Sequence, residues 1–153
     1  MRILILAVGR VRPPFADDAE HYEKLLSRYC RLEVAELREA GSDPKRAGQA
    51  LRAEAQALER RIPERAHLAA LERTGRAVSS EQLAAWLEQR RASGQDICFI
   101  VGGPLGLDPG LVRLAGTAIS LGAVTLPHQL ARVVLLEQLY RAHRILAGEP
   151  YHH

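Results

Sequence analysis

Two cysteines in 153 residues, Cys30 and Cys98, are too few for a disulfide framework or a cysteine-based metal cluster. Cys98 stands inside an apolar run and reads as a small buried hydrophobe. Long hydrophobic stretches are also missing. The longest run near the start, residues 3–8, is too short to span a bilayer or to form a signal-peptide core, so the sequence is expected to work in the cytoplasm without a membrane. There is no G-x-G-x-x-G and no P-loop, which removes support from nicotinamide and nucleoside-triphosphate chemistry. No H-E-x-x-H spacing or Ser/His/Asp order is present, and no metal is expected.

Lysine is scarce as well. It occurs only at 24 and 45, so 19 of the 21 basic residues are arginine. Arginine presents a planar fork that suits phosphates and base edges. An arginine- and alanine-rich composition also follows from GC-rich coding, so the net charge of +3 is only a weak pointer to a polyanionic partner.

What is present is an alternation of short apolar runs and helical periodicities. Residues 2–8, 32–37, 66–71, 97–101 and 118–121 read as strands. Four of the five are uninterrupted apolar runs, as strands covered on both faces are. Helical spacing occupies residues 15–29, where Tyr22, Leu25, Leu26 and Tyr29 share a face. A second helix is expected from the Asp43 N-cap and Pro44 to about Arg61, ended by Pro63. Thr74-Gly75 reads as a turn. Ser80 begins a helix that stops at Ser93-Gly94, Asp108-Pro109 opens a short one to about Ala115, and Pro127 opens the last, to about Ala147. The order predicts one α/β domain over residues 1–153, a sandwich with a mostly parallel sheet.

The last helix carries two apolar arcs. One holds Val134, Leu135, Leu139, Ala142, Ile145 and Leu146; the other holds Val133, Leu136 and Tyr140. Glu137, Arg141 and Arg144 form one polar sector, and Arg132 with His143 another. A surface helix needs one apolar stripe. Two arcs call for two partners, either a second subunit or a central place in the domain.

Two segments carry ligand-binding character. Gly102-Gly103-Pro104-Leu105-Gly106 follows a strand directly, where glycines permit close approach to the backbone. Leu121-Gly122-Ala123-Val124-Thr125-Leu126 is small and uncharged, and offers main-chain donors just before Pro127-His128.

With Leu4-Ile5-Leu6-Ala7-Val8-Gly9, Leu71-Glu72-x-x-Gly75-Arg76, Ile100-Val101-Gly102-Gly103-x-x-Gly106-Leu107 and the block from Thr125-Leu126-Pro127-His128-Gln129 to Tyr151-His152, the whole chain resembles the ribosomal RNA large subunit methyltransferase H family of the SPOUT class. The resemblance implies a C-terminal trefoil knot, which general topology rules would never suggest. It implies a homodimer with each pocket beside the subunit interface. It also implies an S-adenosyl-L-methionine pocket made by Leu71, Gly102, Leu121, Gly122, Ala123, Val124, Thr125 and Leu126. The implied substrate is a pseudouridine in helix 69 of 23S rRNA, methylated at N3 on the assembled 70S ribosome.

Losing the N3 proton calls for a base or a cation near the target. By type and position, His128, Arg132, Tyr151 and His152 are the catalytic candidates, with Arg141 orienting or binding phosphate. Departures from the family pattern are Arg76 in place of a common lysine, the proline-stiffened Arg10-Val11-Arg12-Pro13-Pro14 loop, and His153 in place of a basic tail residue. Competing readings are a ribosome-binding factor without cofactor, a tRNA methyltransferase of the same class, and a generic α/β nucleotide-binding or hydrolytic enzyme.

Overall fold

The computed structural model describes residues 1–151; the expected roles of His152 and His153 lie outside the described residues. Strands β1 (Arg2–Val8), β2 (Arg31–Leu37), β3 (His67–Ala77), β4 (Ile97–Val101) and β5 (Thr117–Ser120) alternate with helices α1 (Ala16–Leu26), α2 (Ala47–Glu59), α3 (Ser80–Ala92), α4 (Pro109–Leu114) and α5 (His128–Leu146). The strands form a single sheet in the order β2-β1-β4-β3-β5, and every pair is parallel.

The apolar runs follow from burial on both faces. Ile3, Ile5, Ile97, Phe99 and Val101 point into one core under α1, α3 and α5. Their neighbours Leu4, Leu6, Cys98 and Ile100 point into another, with Leu58 of α2 and Leu111 of α4. Ile3, Ile5, Ile97, Phe99 and Ile100 are fully buried, and each such side chain contributes roughly 1.5–3 kcal/mol relative to exposure.

Local signals set the helix ends. Ser79 and Gln82 form a reciprocal capping box ahead of α3. The Asp108 side chain accepts from the Gly110 and Leu111 N–H groups to open α4. Asp43 caps as expected, accepting from Lys45 N at 3.0 Å. It opens a short 3-10 turn, Pro44–Arg46, from which α2 continues.

One expectation changes and one open alternative is narrowed. Thr74-Gly75 is not a turn between elements but lies inside β3. Leu71 and Arg76 both pair with Ile119, so residues 72–75 bulge out of the ladder. Gly75 allows this because a Cβ there would stand 2.7 Å from the carbonyl carbon of Ala118 on β5.

The second concerns α5, which packs against both α1 and α3. Leu135, Leu139 and Ala142 of one arc are buried within the chain, and so are Val133, Leu136 and Tyr140 of the other. Most of both arcs is therefore covered within one chain, as a central place in the domain requires. Of the first arc, Val134 and Ile145 are half-buried and Leu146, at the far end, is 40% exposed. Among the described residues no helix is long and apolar enough to cross a membrane, and no group of His, Cys, Asp and Glu gathers that could hold a metal.

Candidate functional site

A wholly parallel sheet brings all its strand carboxyl ends to one edge, which is where ligands of open α/β sheets bind. A cavity of about 840 Å³ lies on that edge, at the ends of β3, β4 and β5, a volume of the size that holds a drug-sized ligand. Leu71, Gly102, Leu121, Gly122, Val124, Thr125 and Leu126 line it; Ala123, in the same loop, does not.

The glycines have separate reasons. A Cβ on Gly102 would stand 2.4 Å from the carbonyl carbon of Gly106. The backbone that approaches Gly102 is therefore the chain's own, as the 102–106 loop folds back and Gly106 N–H donates to Gly103 O at 3.0 Å. Gly106 itself has φ +77°, a left-handed conformation that favours glycine. Gly122, with φ +125°, has nothing within 4 Å of its Cβ position, so its α-carbon faces open space in the cavity wall.

Ser120 holds this wall in place. Its hydroxyl donates to Gly122 O at 2.9 Å and accepts from Gly122 N at 3.2 Å, and the residue is buried. Beyond it, the N–H groups of Ala123, Val124, Thr125 and Leu126 donate to no group among the described residues. The cavity-lining residues Val124, Thr125 and Leu126 thus keep unpaired main-chain N–H groups near apolar Leu71 and Leu121. Such a lining suits a flat heteroaromatic ring with acceptor nitrogens on its edge. The β3 bulge adds Glu72 and Arg73 to the lining. Ser120 and Arg73 escaped the sequence reading, and Glu72 entered it only as part of a motif, with no role assigned.

The catalytic candidates do not come together. His128, first residue of α5, lines the cavity. Its side chain is 25% exposed, with Nε2 buried, 4.0 Å from Glu39 Oε1 and without a hydrogen-bond partner. Arg132, one turn on, turns away from the cavity. It is 3% exposed, donates to Gly9 O at 3.2 Å, and places Nη1 3.0 Å from Glu36 Oε1. That second contact is an ion pair whose angle does not make a hydrogen bond. Burial lowers the Arg132 pKa from its ordinary value, and Glu36 and Glu23 oppose the shift.

Tyr151 sits at the opposite end of α5. Its ring centroid is 5.0 Å from that of Tyr140 and 4.8 Å from the Arg141 guanidinium carbon. Tyr140 is about 18 Å along the helix axis from His128. Burial first, then Tyr22 and Glu137, push the Tyr151 phenol up to about 12, against the pull of Arg141. Arg141 is itself held by Glu137, with Nε and Nη2 at 2.9 and 2.7 Å from one carboxylate oxygen.

Comparison with known proteins places this geometry among relatives. The family model described as "Predicted SPOUT methyltransferase" matches residues 1–152. The ribosomal RNA large subunit methyltransferase H of Rubrobacter xylanophilus is 51% identical over 99% of this chain and 98% of its own length. The protein of the same name from Acetivibrio thermocellus is 40% identical over 99% of both chains. Among solved structures, a probable methyltransferase from Bordetella pertussis superposes with a TM-score of 0.59 at 14% identity, covering 92% of this chain and 95% of that one. The TrmH/SpoU tRNA modifying enzyme of A. aeolicus gives a TM-score of 0.54 at 15% identity, covering 95% and 77%. At such identities these two structures speak for the fold.

Proposed function

The chain belongs to the ribosomal RNA large subunit methyltransferase H family of SPOUT methyltransferases, and from that premise we propose that it methylates N3 of a pseudouridine in helix 69 of 23S rRNA on the assembled 70S ribosome. S-adenosyl-L-methionine is the methyl donor of this class, and when bound it supplies an electrophilic methyl group. The observation that carries the reading is the backbone-lined cavity at the strand ends, with unspent N–H groups on its lining residues 124–126.

The residues present fit that cofactor. Leu71, Leu121 and Leu126 offer apolar faces to an adenine ring. Thr125 and the main chain at Val124 and Leu126 offer donors to its edge, and Gly122 leaves room for close approach. Gly102 shapes the facing loop, and Ala123 stands just outside the lining. His128, which lines the cavity, is the proposed acceptor of the N3 proton, whose pKa is on the order of tyrosine's, about 10, in the free base.

The protein acts as a homodimer in this reading. Tyr151 lies too far along α5 to close its own chain's cavity, so in this reading Tyr151 serves the pocket of a second copy. The trefoil knot belongs to the same reading. Its support is that residues 121–128 share the cavity with the ends of β3 and β4, after which α5 packs against α1 and α3. With a net charge of only +3, the protein gains little from phosphate attraction alone, which favours the whole ribosome over a naked hairpin.

The decisive experiment is mass spectrometry of rRNA from methyl-deficient ribosomes incubated with the protein and S-adenosyl-L-methionine. A single added methyl in the helix 69 fragment is expected. Ribosomes that gain no methyl there would overturn the reading.

A further inference from the structure

We propose that Arg132 is a positioning residue that locks the loop between β1 and α1, so that Arg10 and Arg12 project together as a grip for the phosphate backbone of the substrate RNA. The proposal rests on the rRNA reading above and adds to it the surface that engages the nucleic acid.

The loop's backbone is spent on internal bonds. Gly9 N donates to Leu37 O at 2.7 Å, and Phe15 N to Arg12 O at 2.9 Å. Gly9 O accepts from buried Arg132 at 3.2 Å. Val11 N donates to Glu36 Oε1 at 3.1 Å, the same oxygen that pairs with Arg132. Arg12 N donates to Gln129 Oε1 at 2.9 Å. The first turn of α5 thus holds the loop at Gly9 and Arg12, and Arg132 orients Glu36 to hold Val11.

The side chains at 10 and 12 are left over. Arg10 is 80% exposed, with a single distant ion pair, Nε to Glu36 Oε2 at 3.7 Å. Arg12 is exposed, and no acceptor takes its guanidinium among the described residues. Two arginines on a fixed backbone lose less freedom on binding than two on a mobile loop. Their planar forks suit phosphate oxygens.

The position is right for the substrate. The loop continues β1, so it lies on the same strand-end edge as the cavity. His128 lines the cavity and begins the helical turn that carries Gln129 and Arg132. One turn of helix therefore fixes both the cavity-facing histidine and the phosphate-facing loop, which sets the target base and its backbone at a constant separation.

The bonds to the loop account for the burial of Arg132. A guanidinium at 3% exposure loses several kcal/mol of hydration, and an apolar side chain would fill the space at lower cost. A buried charge with a carboxylate on one side and a backbone carbonyl on the other specifies a geometry.

The test is co-sedimentation of the full-length protein with ribosomes over a range of salt, beside calorimetry with S-adenosyl-L-methionine. R10A/R12A is expected to weaken ribosome binding at least tenfold and to reduce the slope of log K against log salt by about 1.5, while cofactor affinity stays as in the wild type. R132K keeps the charge but cannot reach both Gly9 O and Glu36. It is expected to weaken ribosome binding several-fold, with the effect in KM for ribosomes rather than kcat. Q129A removes the Arg12 contact without touching a buried charge and should act in the same direction.

Wild-type affinity and salt slope in R10A/R12A would overturn the grip, as would a wild-type protein that does not sediment with ribosomes. Wild-type behaviour of both R132K and Q129A would overturn the positioning role. A wild-type protein that binds ribosomes through Arg10 and Arg12 but adds no methyl would leave this proposal standing and sink the methyltransferase reading instead.

Discussion

The Ser120 hydroxyl and Gly122 bond each other twice, Oγ donating to the glycine carbonyl at 2.9 Å and accepting from its N–H at 3.2 Å. This closed pair sets the path of the loop before any ligand arrives. In S120A both glycine groups lose their partner, at about 1–2 kcal/mol. Affinity for S-adenosyl-L-methionine, measured by calorimetry, should fall about tenfold. Thermal stability should move by only a few degrees, because the loop lies outside both cores. An unchanged affinity would mean that the loop does not depend on the serine.

G102A should be harsher. The added methyl would stand 2.4 Å from the Gly106 carbonyl carbon, and backbone does not yield as a side-chain tip does. We expect cofactor binding to be lost, with destabilisation of roughly 1–3 kcal/mol. Denaturant unfolding and calorimetry on the same sample check both.

Tyr151 separates packing from proton transfer. With its phenol pushed up to about 12, it holds its proton at neutral pH and is a poor base. Y151F should keep turnover within about twofold, whereas Y151A, which removes the ring held by Arg141 and Tyr140, should lose most of it. Steady-state kinetics on ribosomes would read the difference, and a dead Y151F would restore the hydroxyl as a chemical participant.

Acid should destabilise the fold through His143. Its ring stacks on Tyr29 at 5.7 Å, and its Nε2 is buried without a partner. Burial first, then Arg91 and the N-terminal amine, hold its pKa below the ordinary 6.5. A histidine depressed in the folded state binds fewer protons there than in the unfolded chain. Its neutral form is therefore fully accommodated above about 6.5, and stability is lost as pH falls from 6.5 toward the folded value. His67 is shifted the same way, by burial and then Arg90. Melting temperatures should drop between pH 7 and 5, and H143F should lessen the drop. Equal slopes in the two proteins would remove His143 from the account.

Both thiols should be silent in the native state. Burial pushes Cys98 up to about 12 and Cys30 up to about 11, so almost no thiolate exists at pH 8. Ellman's reagent should find neither within minutes, and both in urea.

The sequence was most readable where a residue's environment is apolar. Strands β1 and β4 are uninterrupted hydrophobic runs because both faces are covered, and their bounds need no further information. The second half of β3 was not readable. Glu72, Arg73, Thr74 and Gly75 are polar or small, and they bulge out of the ladder between two residues that share Ile119. Periodicity also found both buried arcs of α5 but not what covers them, since a wheel shows that a face is apolar and not whether α1, α3 or a second subunit lies against it.

The site was legible through the resemblance more than through chemistry, because its donors are main-chain groups that no side-chain pattern marks. Ser120 escaped for the same reason: its partners are backbone atoms two residues away. Arg132 was read by type as a catalytic residue. Only the structure brings Glu36, from a strand ninety-six positions earlier (132 − 36), to meet it.

The order of the strands has a consequence for how the chain is born. At the centre of the sheet β1 pairs with β4, and Arg2 N–H reaches the Asp96 carboxylate across 94 residues. During synthesis β1, α1 and β2 can associate early, but β1 then waits with one long edge open until nearly two thirds of the protein has left the exit tunnel. Pairing of this range is slow and leaves strand edges exposed in the meantime. The helix that roofs one core, α5, follows β4 in the chain, so that core also stays open until after the central strand has paired.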